Sequence, residues 1–215
     1  MAKPPRLLSE VPFGAFLVYS PRGSSEVSRQ SRIVRDRIKY DRPPGIAHAV
    51  ERLTEEFQRT GLSEFLGPDV SLVPAPKSTP LVEGALWPAR RVCEELARRK
   101  LGLEVLACVE RLHPVKKSAY AAPGGRPKAQ EHLESMSSVG LLAKPKRITV
   151  VDDVITKGAT LLAAASHVAT AFPGAEVRVL AMLRTMGLIL EVERVLDPCV
   201  GTIRLTAWGE TDREP

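Results

Sequence analysis

Two adjacent carboxylates, Asp152 and Asp153, follow the apolar run 147–151, and Thr156, Lys157, Gly158, Ala159 and Thr160 come directly after them. The run reads as a buried strand, and the Thr- and Gly-rich turn reads as the mouth of a helix that opens through Gly158. A helix mouth offers unpaired N–H donors and the positive end of its dipole, which suits a phosphate. Gly158 permits close backbone approach, and Thr156 and Thr160 add hydroxyl donors. Two carboxylates would repel that phosphate, so they should face hydroxyl groups instead. A ligand with a phosphate at one end and a vicinal diol nearby, a ribose 5-phosphate, fits this spacing. The plainer alternative is a surface turn whose aspartates favour the helix dipole. A Walker A loop is a poor alternative, because the order here is Lys157-Gly158 and its upstream glycine is missing.

The elements that would position these residues can be traced along the chain. Residues 13–19 read as a strand, 27–40 as a helix and 46–59 as a second helix after the Pro43-Pro44-Gly45 break. A short strand at 70–74 runs into the proline-punctuated loop 75–80. A helix over 81–100 and a strand over 104–110 follow. Residues 113–135 read as irregular and polar, either a functional lid or a solvated insert. Beyond them come a strand at 147–151, a helix at 158–171 and strands at 176–183 and 200–208, before a charged tail. Strands alternating with helices predict an α/β fold with a parallel sheet flanked by helices.

The 215 residues include 31 Lys and Arg against 25 Asp and Glu, a net charge of +6, which favours anionic partners. With 44% hydrophobic and 26% charged residues, the composition excludes a disordered or fibrous chain. No apolar stretch is long enough for a membrane span, and the N-terminus lacks the apolar core of a secretory signal. Cys93, Cys108 and Cys199 form no CxxC pair and read as reduced thiols, which points to a cytoplasmic protein without a disulfide frame or zinc site. His48 and His167 lie in helical patterns, and His113 and His132 flank the irregular stretch without completing a metal-ligand set.

Residues 149–161, an apolar strand, an acidic pair and a Thr- and Gly-rich loop, resemble the phosphoribosyl pyrophosphate (PRPP) motif of type I phosphoribosyltransferases. The resemblance implies that fold, with a small N-terminal hood over 1–60 and a core over 61–215 that carries the lid 113–135. It implies that Asp152 and Asp153 bind the ribose hydroxyls of PRPP, and that Thr156, Lys157, Gly158, Ala159 and Thr160 cradle its 5-phosphate. Lys157 stands where threonine is commoner and adds a cation. Thr156 stands where enzymes acting on 6-oxopurines have a catalytic aspartate, which argues against hypoxanthine or guanine as acceptor. More weakly, Lys77 and Ser78 resemble a pyrophosphate-contacting loop, and Lys116, Lys117, Ser118, Tyr120, Arg126 and Lys128 resemble the mobile loop that closes over the pyrophosphate. Residues 35–40 with the following helix are similar to the ComF-like branch, without its zinc-binding cysteine cluster. Mg2+ would arrive on PRPP, with no direct protein ligand.

Two functions follow from these expectations. One is a Mg2+-dependent glycosyltransferase of nucleotide metabolism that passes the 5-phosphoribosyl group to a nucleobase or other amine and releases pyrophosphate. The other is a regulatory module that senses PRPP and binds nucleic acid through Arg29, Arg32, Arg35, Arg37 and Lys39. A solvated or dimer-facing helix explains those cations as well, so a homodimer is open and nucleic acid is not favoured. No residue presents as the general base. Trp87 and Trp208 are either base-stacking aromatics or packing residues, and the sequence does not specify the acceptor.

Overall fold

The computed structural model describes residues 5–115, 127–139, 144–187 and 191–215. Among these residues, nine strands and five α-helices, with two short 3-10 turns at 57–64, run in chain order: β1 (Glu10–Tyr19), α1 (Glu26–Lys39), α2 (Gly45–Glu56), β2 (Ser71–Pro74), α3 (Pro88–Arg98), β3 (Glu104–Val105), β4 (Val109–Arg111), α4 (Ala129–Glu134), β5 (Met136–Ser138), β6 (Arg147–Ile155), α5 (Ala159–Ala171), β7 (Glu176–Thr185), β8 (Leu196–Leu205) and β9 (Thr211–Glu214). Seven strands make one sheet in the order β3-β2-β6-β7-β1-β8-β9, and β4 and β5 form a separate antiparallel pair. From β3 to β1 every pairing is parallel, while β8 and β9 extend the sheet antiparallel. The predicted α/β class with a mostly parallel, helix-flanked sheet is what the chain adopts.

Strand β1 reads Phe-Gly-Ala-Phe-Leu-Val over 13–18 and is buried on both faces, which suits a strand inside a sheet covered by helices. It pairs with β7 on one side and β8 on the other. Strand β1, within the expected segment 1–60, thus lies in the interior of the sheet formed with the strands of 61–215. Helix α5, Ala-Thr-Leu-Leu-Ala-Ala-Ala-Ser-His-Val-Ala-Thr-Ala, is buried continuously from Leu161 to Val168. A helix apolar on all sides must be enclosed, and α5 lies between the sheet and the layer made by α4, β4 and β5. The opposite face of the sheet carries α1, α2 and α3 over a second core.

Several expected boundaries shift. The helix expected over 81–100 begins at Pro88, whose fixed φ suits a first helical position. The strand expected over 104–110 divides between the two sheets, as β3 and β4. Residues 113–135 are not irregular throughout: α4 occupies their C-terminal part, and β5 begins at Met136. The charged tail forms the edge strand β9.

Candidate functional site

The crossovers fix where a ligand crevice must open. From β2 the chain passes through α3 to β3 on one side, and from β6 it passes through α5 to β7 on the other. Right-handed crossovers that diverge in this way put α3 and α5 on opposite faces, as the two cores require. The gap between the carboxyl ends of β2 and β6 is thus a topological switch point, the usual ligand crevice of open α/β sheets.

Asp152 and Asp153 lie at this gap. Pro74, the last residue of β2, pairs with Val151, and the Ala75 N–H donates to the Val151 carbonyl at 2.8 Å. Past that point β2 has left the sheet, while β6 goes on pairing with β7 through Asp152–Ala181, Val154–Leu183 and Ile155–Arg184. The acids therefore sit within β6, not at its end as the sequence suggested, on a stretch whose β2 side has no strand beside it. The Asp153 N–H donates to Asp152 Oδ1 at 2.9 Å. Asp152 is half-buried as a residue, but its carboxyl is enclosed. Burial, then the adjoining Asp153 charge, pushes that carboxyl well above the usual range, with Lys39 on α1 pulling it back. Such a carboxyl favours a partner that supplies hydrogen-bond donors or positive charge.

The turn from β6 into α5 is short. Gly158 caps α5 at φ 91°, in the left-handed region, and a Cβ there would stand 2.7 Å from Ile203 Cδ1 on β8. Only glycine meets both conditions without strain. The Leu162 N–H donates to the Gly158 carbonyl at 2.8 Å, so the amides before it at the helix mouth have no helical acceptor. Ala159 and Thr160 are half-buried there, and Thr156 Oγ1 stands 3.5 Å from Thr185 Oγ1 at the end of β7. Lys157, expected to add a free cation, pairs instead with Glu210 at 3.1 Å, both half exposed.

Lys77 and Ser78 follow β2 at the other wall of the crevice. The Lys77 ammonium has no ion-pair partner among the described residues, while its carbonyl accepts from Arg111 Nε at 2.8 Å. The Ser78 carbonyl accepts from the Val115 N–H at 2.8 Å. Lys116, Lys117, Ser118, Tyr120 and Arg126 lie outside the described residues. Lys128 starts α4, with its N–H on Glu131 Oε1 at 2.9 Å and its ammonium on the Trp208 carbonyl at 3.0 Å. The hairpin tip between β8 and β9 thus touches both the phosphate-type turn, through Glu210, and the start of α4.

The tryptophans separate. Trp87 donates its indole N–H to the Ala75 carbonyl at 2.8 Å and serves the loop after β2, whereas Trp208 is 82% exposed at the hairpin tip. The cations of α1 are largely engaged. Arg29 pairs with Glu26, Arg32 binds the carbonyls of Ser20 and Gly23, and Arg35 pairs with Asp36 over the Tyr19 ring. Arg37 is exposed. A concavity of about 380 Å3 beside α3, lined by Asp41, Pro44, Ile46, Arg91, Glu94 and Arg98, includes none of the motif residues. Its charges pair internally, Arg91 reaching Asp41 and Glu94 at 3.1 Å each.

Arg111 is the site residue that sequence reasoning missed. Its signal was the alternation in Val109-Glu110-Arg111, which turns Arg111 to the same buried side as Val109. Among the described residues no three His, Cys, Asp or Glu side chains gather in a way that could hold a metal ion, and no helix is long and apolar enough to cross a membrane. The chain matches no family model, and no curated protein matches it significantly.

Proposed function

We propose that this chain is a phosphoribosyltransferase-like protein of the type I fold that binds PRPP and Mg2+ in the β2–β6 crevice. It transfers the 5-phosphoribosyl group to a nitrogenous acceptor and releases pyrophosphate. The observation that carries this reading is the acidic pair on the stretch of β6 that outruns β2, with the uncapped amides of α5 just beyond it. Asp152 and Asp153 accept hydrogen bonds from the ribose hydroxyls, which relieves the enclosed Asp152 carboxyl. The amides around Ala159 and Thr160 hold the 5-phosphate through the helix dipole. Lys157 leaves Glu210 for the dianion at little cost, since an exposed ion pair contributes at most about 1 kcal/mol.

With the sugar gripped at both ends, its anomeric carbon is presented to the acceptor. The nitrogen lone pair forms the new C–N bond while the C–O bond to pyrophosphate breaks, and the electron pair leaves with the pyrophosphate oxygen. Lys77 offers positive charge toward that leaving group. Mg2+ supplies charge neutralisation there when bound, and two neighbouring carboxylates fit a cation that arrives on its substrate's oxygens.

Titration with PRPP and Mg2+ tests the site. Asp153→Asn should weaken PRPP affinity by about 1–3 kcal/mol, the scale of a lost charged hydrogen-bond partner, with an unchanged far-UV circular dichroism spectrum. An unaltered isotherm for that variant removes the ribose role from Asp153. Pyrophosphate release across a panel of bases and amines then separates a transferase from a sensor. The engagement of the α1 cations within the fold weighs against a nucleic-acid-binding module.

A further inference from the structure

Arg111 is 4% exposed, and among the described residues it has no carboxylate within ion-pair distance. The other buried arginine, Arg184, is 7% exposed and pairs with Asp197. Arg111 spends its donors on neutral acceptors instead: Nε on the Lys77 carbonyl at 2.8 Å, Nη1 on Ser135 Oγ and on the His132 carbonyl, and Nη2 beside His132 Nδ1 at 3.5 Å. A guanidinium buried without a counter-ion is costly unless something repays it. These contacts tie the loop after β2 to the β4–β5 layer, and the Val115 N–H on the Ser78 carbonyl makes a second tie at 2.8 Å. The backbone of Lys77 and Ser78 is thus held from behind by a fixed positive charge. Burial lowers the Arg111 guanidinium to about 10, so it stays charged at neutral pH, with Asp152 of the crevice acting in the opposite sense.

We infer that Arg111 is a positioning residue that sets the Lys77–Ser78 wall and biases it toward multiply charged anions, so that the crevice prefers a sugar carrying a diphosphate over a sugar monophosphate. This rests on the PRPP reading above. Arg111 acts through the loop and the field it imposes there, not by touching the ligand.

Three isotherms test it: PRPP with Mg2+, inorganic pyrophosphate with Mg2+, and ribose 5-phosphate alone. Arg111→Met should lower PRPP and pyrophosphate affinity at least tenfold and leave ribose 5-phosphate within about twofold, because the monophosphate needs only the β6–α5 side. An equal loss for all three ligands, or no loss, overturns the inference and leaves Arg111 a packing residue. If Arg111→Met does not fold, Ser135→Ala keeps the charge and removes one acceptor. It should then reduce the PRPP to ribose 5-phosphate preference about threefold, and an unmoved preference overturns the inference. Wild-type protein that binds neither PRPP nor ribose 5-phosphate sinks the functional reading itself. Wild-type binding of both, with a preference that Arg111→Met does not move, sinks the role of Arg111 alone.

Discussion

The turn from β6 into α5 spans residues 156–158, while the connection from β2 into α3 spans 75–87. The first is held mainly by its own backbone, a left-handed glycine and a helix that starts at once, with one distant side chain, Ile203 of β8, closing off the space beside Gly158. The second has no regular structure and leaves Leu81, Val82 and Leu86 exposed. Its own Trp87 closes on the Ala75 carbonyl, and it is held from outside by Arg111 on Lys77 and Val115 on Ser78. A short turn prepays its ordering within a few residues, whereas a long loop must borrow order from neighbours. The two walls of one crevice thus differ in origin, one local and one tertiary, and substitutions should affect them differently.

The largest effect is expected on the local wall. Gly158→Val puts a β-branched residue at φ 91° and its Cβ within 2.7 Å of Ile203, which should cost about 4 kcal/mol in strain and overpacking. Chemical denaturation should show that loss, and ribose 5-phosphate binding should vanish. A variant as stable as wild type would mean that the turn is not rigid.

The tertiary wall should respond to pH. Burial, then the Arg111 charge, lowers His132 from its ordinary 6.5 to about 4. The unfolded chain therefore takes up a proton before the folded one does. The stabilisation from neutral His132 is complete above pH 6.5 and is lost as pH falls toward 4, amounting to about 3 kcal/mol. Burial lowers His167 on α5 as well, so it adds a fall of the same sign. Denaturant melts between pH 7 and 4 should show the decline, and His132→Gln should flatten part of it. A stability difference between wild type and His132→Gln that does not change between pH 7 and 4 contradicts the neutral buried imidazole, whereas the total profile also carries the opposite contribution of the raised Asp152 carboxyl.

Smaller changes sharpen the contrast. Trp87→Phe removes one hydrogen bond to the loop after β2 and should cost about 1 kcal/mol, weakening pyrophosphate binding more than ribose 5-phosphate binding. Equal weakening would show that the walls are not separable. Glu210→Gln frees Lys157 from its exposed partner and should change stability by less than about 1 kcal/mol. Ribose 5-phosphate binding should tighten by a few-fold, and weaker binding would mean that Glu210 positions Lys157 for the ligand.

Where periodicity and turn chemistry act within a few residues, the sequence was legible. The β6–α5 unit, the apolar run of β7 and the acidic pair with its glycine turn were all placed to within a few residues. Strand β1 is legible as a strand, but its place between β7 and β8 is not, because nothing local says which partner a buried strand pairs with. The helix over 81–100 was read too early, since charged and apolar residues alternate plausibly until Pro88 sets the start. For Arg111 the only local mark of burial is the three-residue alternation Val109-Glu110-Arg111, too short to separate a buried cation from a surface one. The pairing of Lys157 is not legible either, because its partner Glu210 is distant in the chain.

By itself the sequence determined the alternation of elements, the order Asp-Asp-turn-helix, and the glycine that lets the turn close, because each depends on neighbours along the chain. The strand order that opens a gap between β2 and β6, the enclosure of Asp152, and the buried guanidinium behind Lys77 were decided by tertiary structure alone. They depend on which segments meet across the sheet, and residue spacing along one strand does not encode that.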